Sequence, residues 1–226
     1  MRAQNQWLPG LAALAFAVLY LVSGFVIPEP PDIDATGAQV QLYFADNSGA
    51  LATSGYLAMV AGIPFLVVLA LVRRRLATAG GWMADTAFGG GLVLAAAATA
   101  ALLIQLGLAL HPDQVDPGTA RTLVDVGRFL APAVTGAVFV MAVAVAVASL
   151  RYGALPEWMG LASVAYAVYE VLESATVFGS TGAFAPGETI NTIGTIAFLP
   201  WYVALGTALS GPEEARPAPA AATPGS

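Results

Sequence analysis

Apolar residues in this chain gather into long runs with few polar interruptions. Six runs are long enough to cross a hydrocarbon core of about 30 Å, which takes about 20 apolar residues in a helix. They cover 8–27, 50–72, 82–110, 119–150, 158–178 and 187–209. The pattern predicts an all-α, polytopic membrane helix bundle with six transmembrane helices, occupying 1–210. The segment 211–226, "GPEEARPAPAAATPGS", has no hydrophobic face and is expected to be a disordered cytoplasmic tail. The third and fourth runs exceed the minimum, so they tilt or extend past the membrane. The first run ends in "SGFVIPEPPD" with no clear small-x-small cleavage pattern, and is expected to be an uncleaved helix.

Between the runs, "TGAQVQLYFADN" predicts a short helix at the membrane surface with Thr36 as its N-cap. The second, fourth and sixth runs each carry a proline at a similar depth: Pro64, Pro132 and Pro200. That spacing is compatible with three tandem hairpins or with kinks at one level, and Pro is tolerated in membrane helices.

Composition strengthens the membrane reading. Hydrophobic residues make up 58% of the chain and charged residues 10%, where a soluble domain carries about 25% charged residues. Mean hydropathy is +0.77. With no cysteine, disulfides and thiolate chemistry are excluded. A net charge of −6 argues against a nucleic-acid partner; the required partner is a lipid bilayer. Every basic residue is Arg, and together with the Ala, Gly and Val content this suggests a bacterial genome.

Charge also predicts orientation. Arg2, Arg73–Arg75, Arg151 and Arg216 fall at the two termini and in the connections after the second and fourth runs. The remaining connections hold Glu29, Asp32, Asp34, Asp46, Asp113, Asp116 and Glu188. The positive-inside bias therefore puts both termini in the cytoplasm of an inner-membrane protein.

Candidate chemistry lies in the polar interruptions. In the fifth run, Ser163, Tyr166, Glu170 and Glu173 recur at steps of three and four and form one seam. Glu170 and Glu173 lie about 13 Å and 9 Å below the outer end. In the fourth run, Arg121, Asp125 and Arg128 form a second seam at matching depths. The two runs are joined by a short connection, so they are expected to be antiparallel neighbours. Arg128 is then expected to bridge Glu170, with Asp125 shared between turns. Arg121, nearer the end, is expected to reach the headgroups. Tyr56, Gln105 and Asn191 are expected to add polar atoms at the same level, making a pocket open to the outside and closed below.

The remaining polar features read as structural. Asp85 suits a helix N-terminus beside Arg73–Arg75. His111, with Asp113 and Asp116, is a poor metal signature. "FGGGLVL" lacks the strand and the Lys-Ser/Thr of a phosphate loop and reads as close helix packing. Tyr20 and Tyr202 read as interface anchors. No motif implies a cofactor or a bound metal.

The stretch "RYGALPEWMGLAS" (151–163) places a basic residue and then Leu-Pro-x-Trp-hydrophobic-Gly at the start of a membrane helix. It resembles a bacterial family of six-helix membrane proteins, common in actinobacteria and defined only as a domain of unknown function. The resemblance implies the topology above and assigns no active residues. Two functions compete. One is binding, transport or sensing of a small molecule, proton or ion from the outer side, at Arg128, Glu170, Glu173, Asp125, Arg121, Tyr166, Asn191, Gln105 and Tyr56. The other is a structural or accessory subunit in which these groups are an ion-pair network pinning helices. An enzyme acting on lipid is the weaker third, because no nucleophile–base–orienter set is legible.

Overall fold

The computed structural model describes residues 6–179 and 181–211. Arg2, Arg216 and the tail beyond Gly211 lie outside the described residues. Seven α-helices form among the described residues: α1 Leu8–Val26, α2 Gly37–Asp46, α3 Ser48–Leu76, α4 Gly81–Leu110, α5 Pro117–Leu150, α6 Glu157–Ser174 and α7 Thr189–Ser210. All but α2 are long and apolar enough to span a membrane, so the chain is a multi-pass membrane protein. Short 3-10 turns at Pro112–Gln114, Ala175–Phe178 and Gly182–Phe184 extend the connections.

Local chemistry sets the helix ends. Thr36 accepts from the Gln39 N–H, and the Gln39 side chain returns to the Thr36 N–H, a reciprocal cap that starts α2. Asp116 accepts from the N–H groups of Gly118 (3.0 Å) and Thr119 (3.1 Å), with Pro117 as the first residue of α5. The Thr119 hydroxyl and then its backbone N–H hold the Asp116 carboxyl below its ordinary pKa. The "RYGALPEW" connection has a comparable logic. Gly153, at φ 65°, ends α5 in a left-handed turn, and the Ala154 N–H reaches the Ala148 carbonyl at 2.9 Å. Pro156 then stops the chain from continuing as one helix and caps α6, whose first turn carries Glu157.

Around the bundle, α1 packs on α3, α3 on α4, α4 on α5, α5 on α6, α6 on α7, and α7 returns to α1. The ring is closed and neighbours alternate in direction. At closure, the Gly10 N–H donates to Ser210 Oγ at 3.1 Å. A side chain on Gly206 would begin against Ala13 Cβ and 2.7 Å from the Pro9 carbonyl oxygen. Gly90 abuts the Ala137 carbonyl on α5, and Gly91 abuts Leu69 on α3. The "FGGGLVL" run is therefore close helix packing, as its composition suggests.

One end of the ring carries Arg73–Arg75 and Arg151 together with the exposed aromatics Trp7, Trp82, Trp158 and Tyr152. We refer to it as the arginine end. Such a belt of indoles and guanidiniums suits a headgroup layer. The opposite, acidic end carries α2 and the loop carboxylates. The apolar face of α2, Val40 and Phe44, packs into a small core with Leu51, Leu108, Ala109 and Ala120. The expected surface helix thus forms, but that face lies against protein rather than on lipid.

The ring is filled at mid-depth by aromatic side chains. Phe65 stacks on Tyr202 at 4.9 Å, Phe198 on Tyr202 at 5.3 Å, and Phe16 meets Tyr202 edge-on at 5.2 Å. Tyr202 is fully buried and donates its hydroxyl to the Phe65 carbonyl at 2.7 Å. It is not the interface anchor expected from sequence; Tyr20 packs beside Phe16 against the same core. Helices α3, α5 and α7 run without a break through Pro64, Pro132 and Pro200.

Because α7 closes the ring through Gly206, Gly206→Val is expected to destabilise the protein by about 1–3 kcal/mol through overpacking. Gly62→Ala, where a side chain meets nothing within 4 Å, is expected to be neutral or slightly stabilising. Thermal unfolding in detergent reads both.

Candidate functional site

Ser163, Tyr166, Glu170 and Glu173 form one buried face of α6, as their spacing indicates. Glu170 is 3% exposed and Glu173 7%. The facing stripe of α7 is Asn191, Gly194, Phe198 and Trp201, again at steps of three and four and buried. Polar contacts zip the two faces together. The Trp201 indole N–H donates to Ser163 Oγ at 3.1 Å, and that hydroxyl donates to the Met159 carbonyl at 2.8 Å. Tyr166 stacks on Trp201 at 5.1 Å, and its hydroxyl lies beside the Glu170 carboxyl. Nearer the acidic end, Asn191 Nδ2 donates to Glu173 Oε1 at 2.9 Å, while Asn191 Oδ1 accepts from the Gly187 N–H at 2.8 Å. Glu173 Oε2 occupies the place where a side chain on Gly194 would begin.

The guanidiniums go elsewhere. Arg121 Nε pairs with Asp125 Oδ2 at 3.0 Å, and its terminal nitrogens donate to the carbonyls of Ile33 and Ala35. Arg128 Nη2 donates to the Pro31 carbonyl at 2.6 Å, and the aliphatic stem passes 3.4 Å from where a Gly187 side chain would start. Arg128 Nη1 is buried and has no hydrogen-bond partner among the described residues. Among the described residues, no arginine pairs with Glu170 or Glu173.

Several sequence-based expectations therefore change. Arg128 does not bridge Glu170, although α5 and α6 are antiparallel neighbours and the residues match in depth. The reason is the lean of helical side chains toward their own N-terminus. On α5 that direction is the acidic end; on α6 it is the arginine end. Equal Cα depth thus becomes unequal headgroup depth, and cations and carboxyls part. Nor is Arg121 free to reach headgroups, because it clamps the first loop. Tyr56, 63% exposed on α3, and Gln105, exposed on α4, point away from the bundle interior and do not join the cluster. Asn191 and Tyr166 do.

The contributions of Pro31, Thr176, Gly187 and Gly194 were missed from sequence. Thr176 had a signal, since it continues the seam three residues after Glu173; its hydroxyl donates to the Glu173 carbonyl at 2.7 Å and receives Asn191 Nδ2 at 3.4 Å. Gly194 had a weaker one, as a small residue one turn from Asn191. Pro31 and Gly187 act through backbone atoms, which side-chain patterns do not mark.

Among the described residues, the site has no cation beside its carboxyls and one unsatisfied guanidinium nitrogen across the Gly187 loop. Comparison of the chain with protein-family models, curated proteins and solved structures gave no match.

The bonding pattern reverses the ranking that depth alone suggests. Arg121→Ala, which removes an ion pair and two loop contacts, is expected to cost about 2–4 kcal/mol, and Arg128→Ala about half of that. Denaturation of the two variants under one condition checks the order; a more severe effect at Arg128 would place an unseen partner on it.

Proposed function

We propose that the protein sits in a bacterial cytoplasmic membrane with its acidic end outward, and that it binds a proton or a small polar ligand arriving from that side. Glu170, Glu173, Tyr166, Asn191 and Arg128 would form the site, in the service of sensing or transport. One observation carries this reading: among the described residues, Arg128 Nη1 and the Glu170 carboxyl are both enclosed without charged partners, though they belong to adjacent helices. Buried ionisable groups that only pin helices gain their value from pairing with an opposite charge, and among the described residues these two have neutral hydrogen-bonding neighbours but no ionic partner. Intramembrane ionisable groups in such a state are functional candidates by default. The glutamates also lie within three turns of the acidic end, while the wider mid-bundle is closed by aromatics. That arrangement supports access from one side rather than a through-going pore.

A second reading has its own support. Asn191–Glu173 and Trp201–Ser163 are direct fasteners between α6 and α7, as a structural or accessory subunit would need.

Trp201, stacked on Tyr166 beside Glu170, offers a discriminating probe. In protein with Trp7, Trp82 and Trp158 changed to Phe, Trp201 emission is expected to shift as pH passes from 5 to 8 in nanodiscs. Glu170→Gln should fold and abolish that shift, because the amide cannot exchange a proton. A response unchanged by Glu170→Gln, or no response in either protein, would leave the structural reading. For orientation, a C-terminal reporter active only outside the cytoplasm is expected to be silent, and a strong signal would invert the topology.

A further inference from the structure

A second polar feature lies at the arginine end, separate from the glutamates. The α3–α4 turn encloses an open cleft of about 360 Å³ lined by Ala70, Arg73, Arg74, Ala77, Ala84 and Asp85. Small side chains make up the rest of the lining, which leaves room beside the guanidiniums. Arg73 is held in place: Nε and Nη2 both donate to Asp85 Oδ1, at 3.0 and 2.8 Å, and the guanidinium lies 5.3 Å from the centre of the Phe88 ring. Asp85 therefore orients Arg73 while neutralising one of the two lining positive charges. Arg74 is exposed and makes no hydrogen bond or ion pair with any described residue.

Two further observations place a membrane component here. The same exposed stripe of α3 that carries Arg74 continues through Ala70, Val67 and Ile63, at steps of four, three and four, giving an apolar track directly below the cleft. Trp82 stands exposed in the first turn of α4, where an indole belongs in the headgroup layer. The start of α4 adds donors, since Gly80 supplies no side-chain cap and leaves first-turn N–H groups open.

We infer that this cleft binds an anionic phospholipid, its phosphate held between Arg73 and Arg74 and an acyl chain lying along Val67 and Ile63. A zwitterionic headgroup brings its own cation to a cleft that is already net positive, so it fits less well. Arg73 offers a fixed pair of donors, while Arg74 supplies an unshared charge that follows the phosphate. This inference does not rest on the acidic-end site.

The test uses delipidated full-length protein in neutral detergent, with phosphatidylglycerol or phosphatidylcholine added and bound lipid read by native mass spectrometry. Phosphatidylglycerol is expected to be retained over phosphatidylcholine, and Arg74→Ala to reduce its retention about fivefold, the effect of one basic residue near a membrane surface. Arg151→Ala, the same charge change at the same end, is expected to leave retention unchanged. Unfolding temperatures measured alongside show that each variant is folded. Equal retention of the two lipids, or equal losses in Arg74→Ala and Arg151→Ala, would overturn the site in favour of general surface charge. Displacement of phosphatidylglycerol by millimolar inorganic phosphate would overturn the lipid assignment and leave a free-anion site.

Discussion

A hydroxyl placed in the dry centre of a membrane bundle must find an acceptor within the protein. Tyr202 finds one on the Phe65 carbonyl at 2.7 Å, and much of the architecture follows from that bond. It fixes α7 against α3 across the ring at a single register. With α7 so placed, Trp201 reaches Ser163 on α6 and Gly206 meets α1, so one helix faces three partners with three kinds of contact. The register at mid-depth also decides what stands opposite Glu173 two to three turns away. Asn191 and Gly194 occupy that place, one as a donor and the other as space. The candidate site is thus a consequence of how the aromatic centre packs.

The separation of guanidiniums from carboxyls has an equally local origin. Antiparallel helices lean their side chains in opposite directions, and the long arms of Arg and Glu amplify the divergence. Arg121 and Arg128 become fasteners of the first loop, reaching Ile33, Ala35 and Pro31. The loop is held by guanidinium–carbonyl bonds over the acidic end of the bundle. Gly187 stands between the two groups, with Arg128 against its α-carbon side and Asn191 on its N–H.

Much of this fold was legible in the sequence because a bilayer demands long apolar helices. The six runs match the six spanning helices to within a few residues, and Thr36 is legible as the N-cap of α2. The α6 seam was legible too, since burial of Ser163, Tyr166, Glu170 and Glu173 follows from periodicity. Partner choice was not. Depth alone groups Tyr56 and Gln105 with the cluster, but depth carries no information about rotation around the helix axis. Pairing of Arg128 with Glu170 assumed that neighbouring backbones bring side-chain tips together. Contacts made by backbone carbonyls, such as that of Pro31, leave no trace in residue type.

The shallow position of the glutamates also bears on how the membrane's electric field acts on them. Glu173 and Glu170 lie roughly 8 and 12 Å along the helix from Phe178 at the acidic end. A proton or cation moving from that side to the carboxyls would cross only about a third of a hydrocarbon layer of about 30 Å. Full transit is worth about 2.3 kcal/mol per charge at 100 mV, so this partial step corresponds to about 0.8 kcal/mol. Occupancy of such a site would follow the chemical composition of the adjoining compartment and register the transmembrane voltage only faintly. That division of sensitivity would come from two carboxyls being held near one face and from the aromatic packing beneath them.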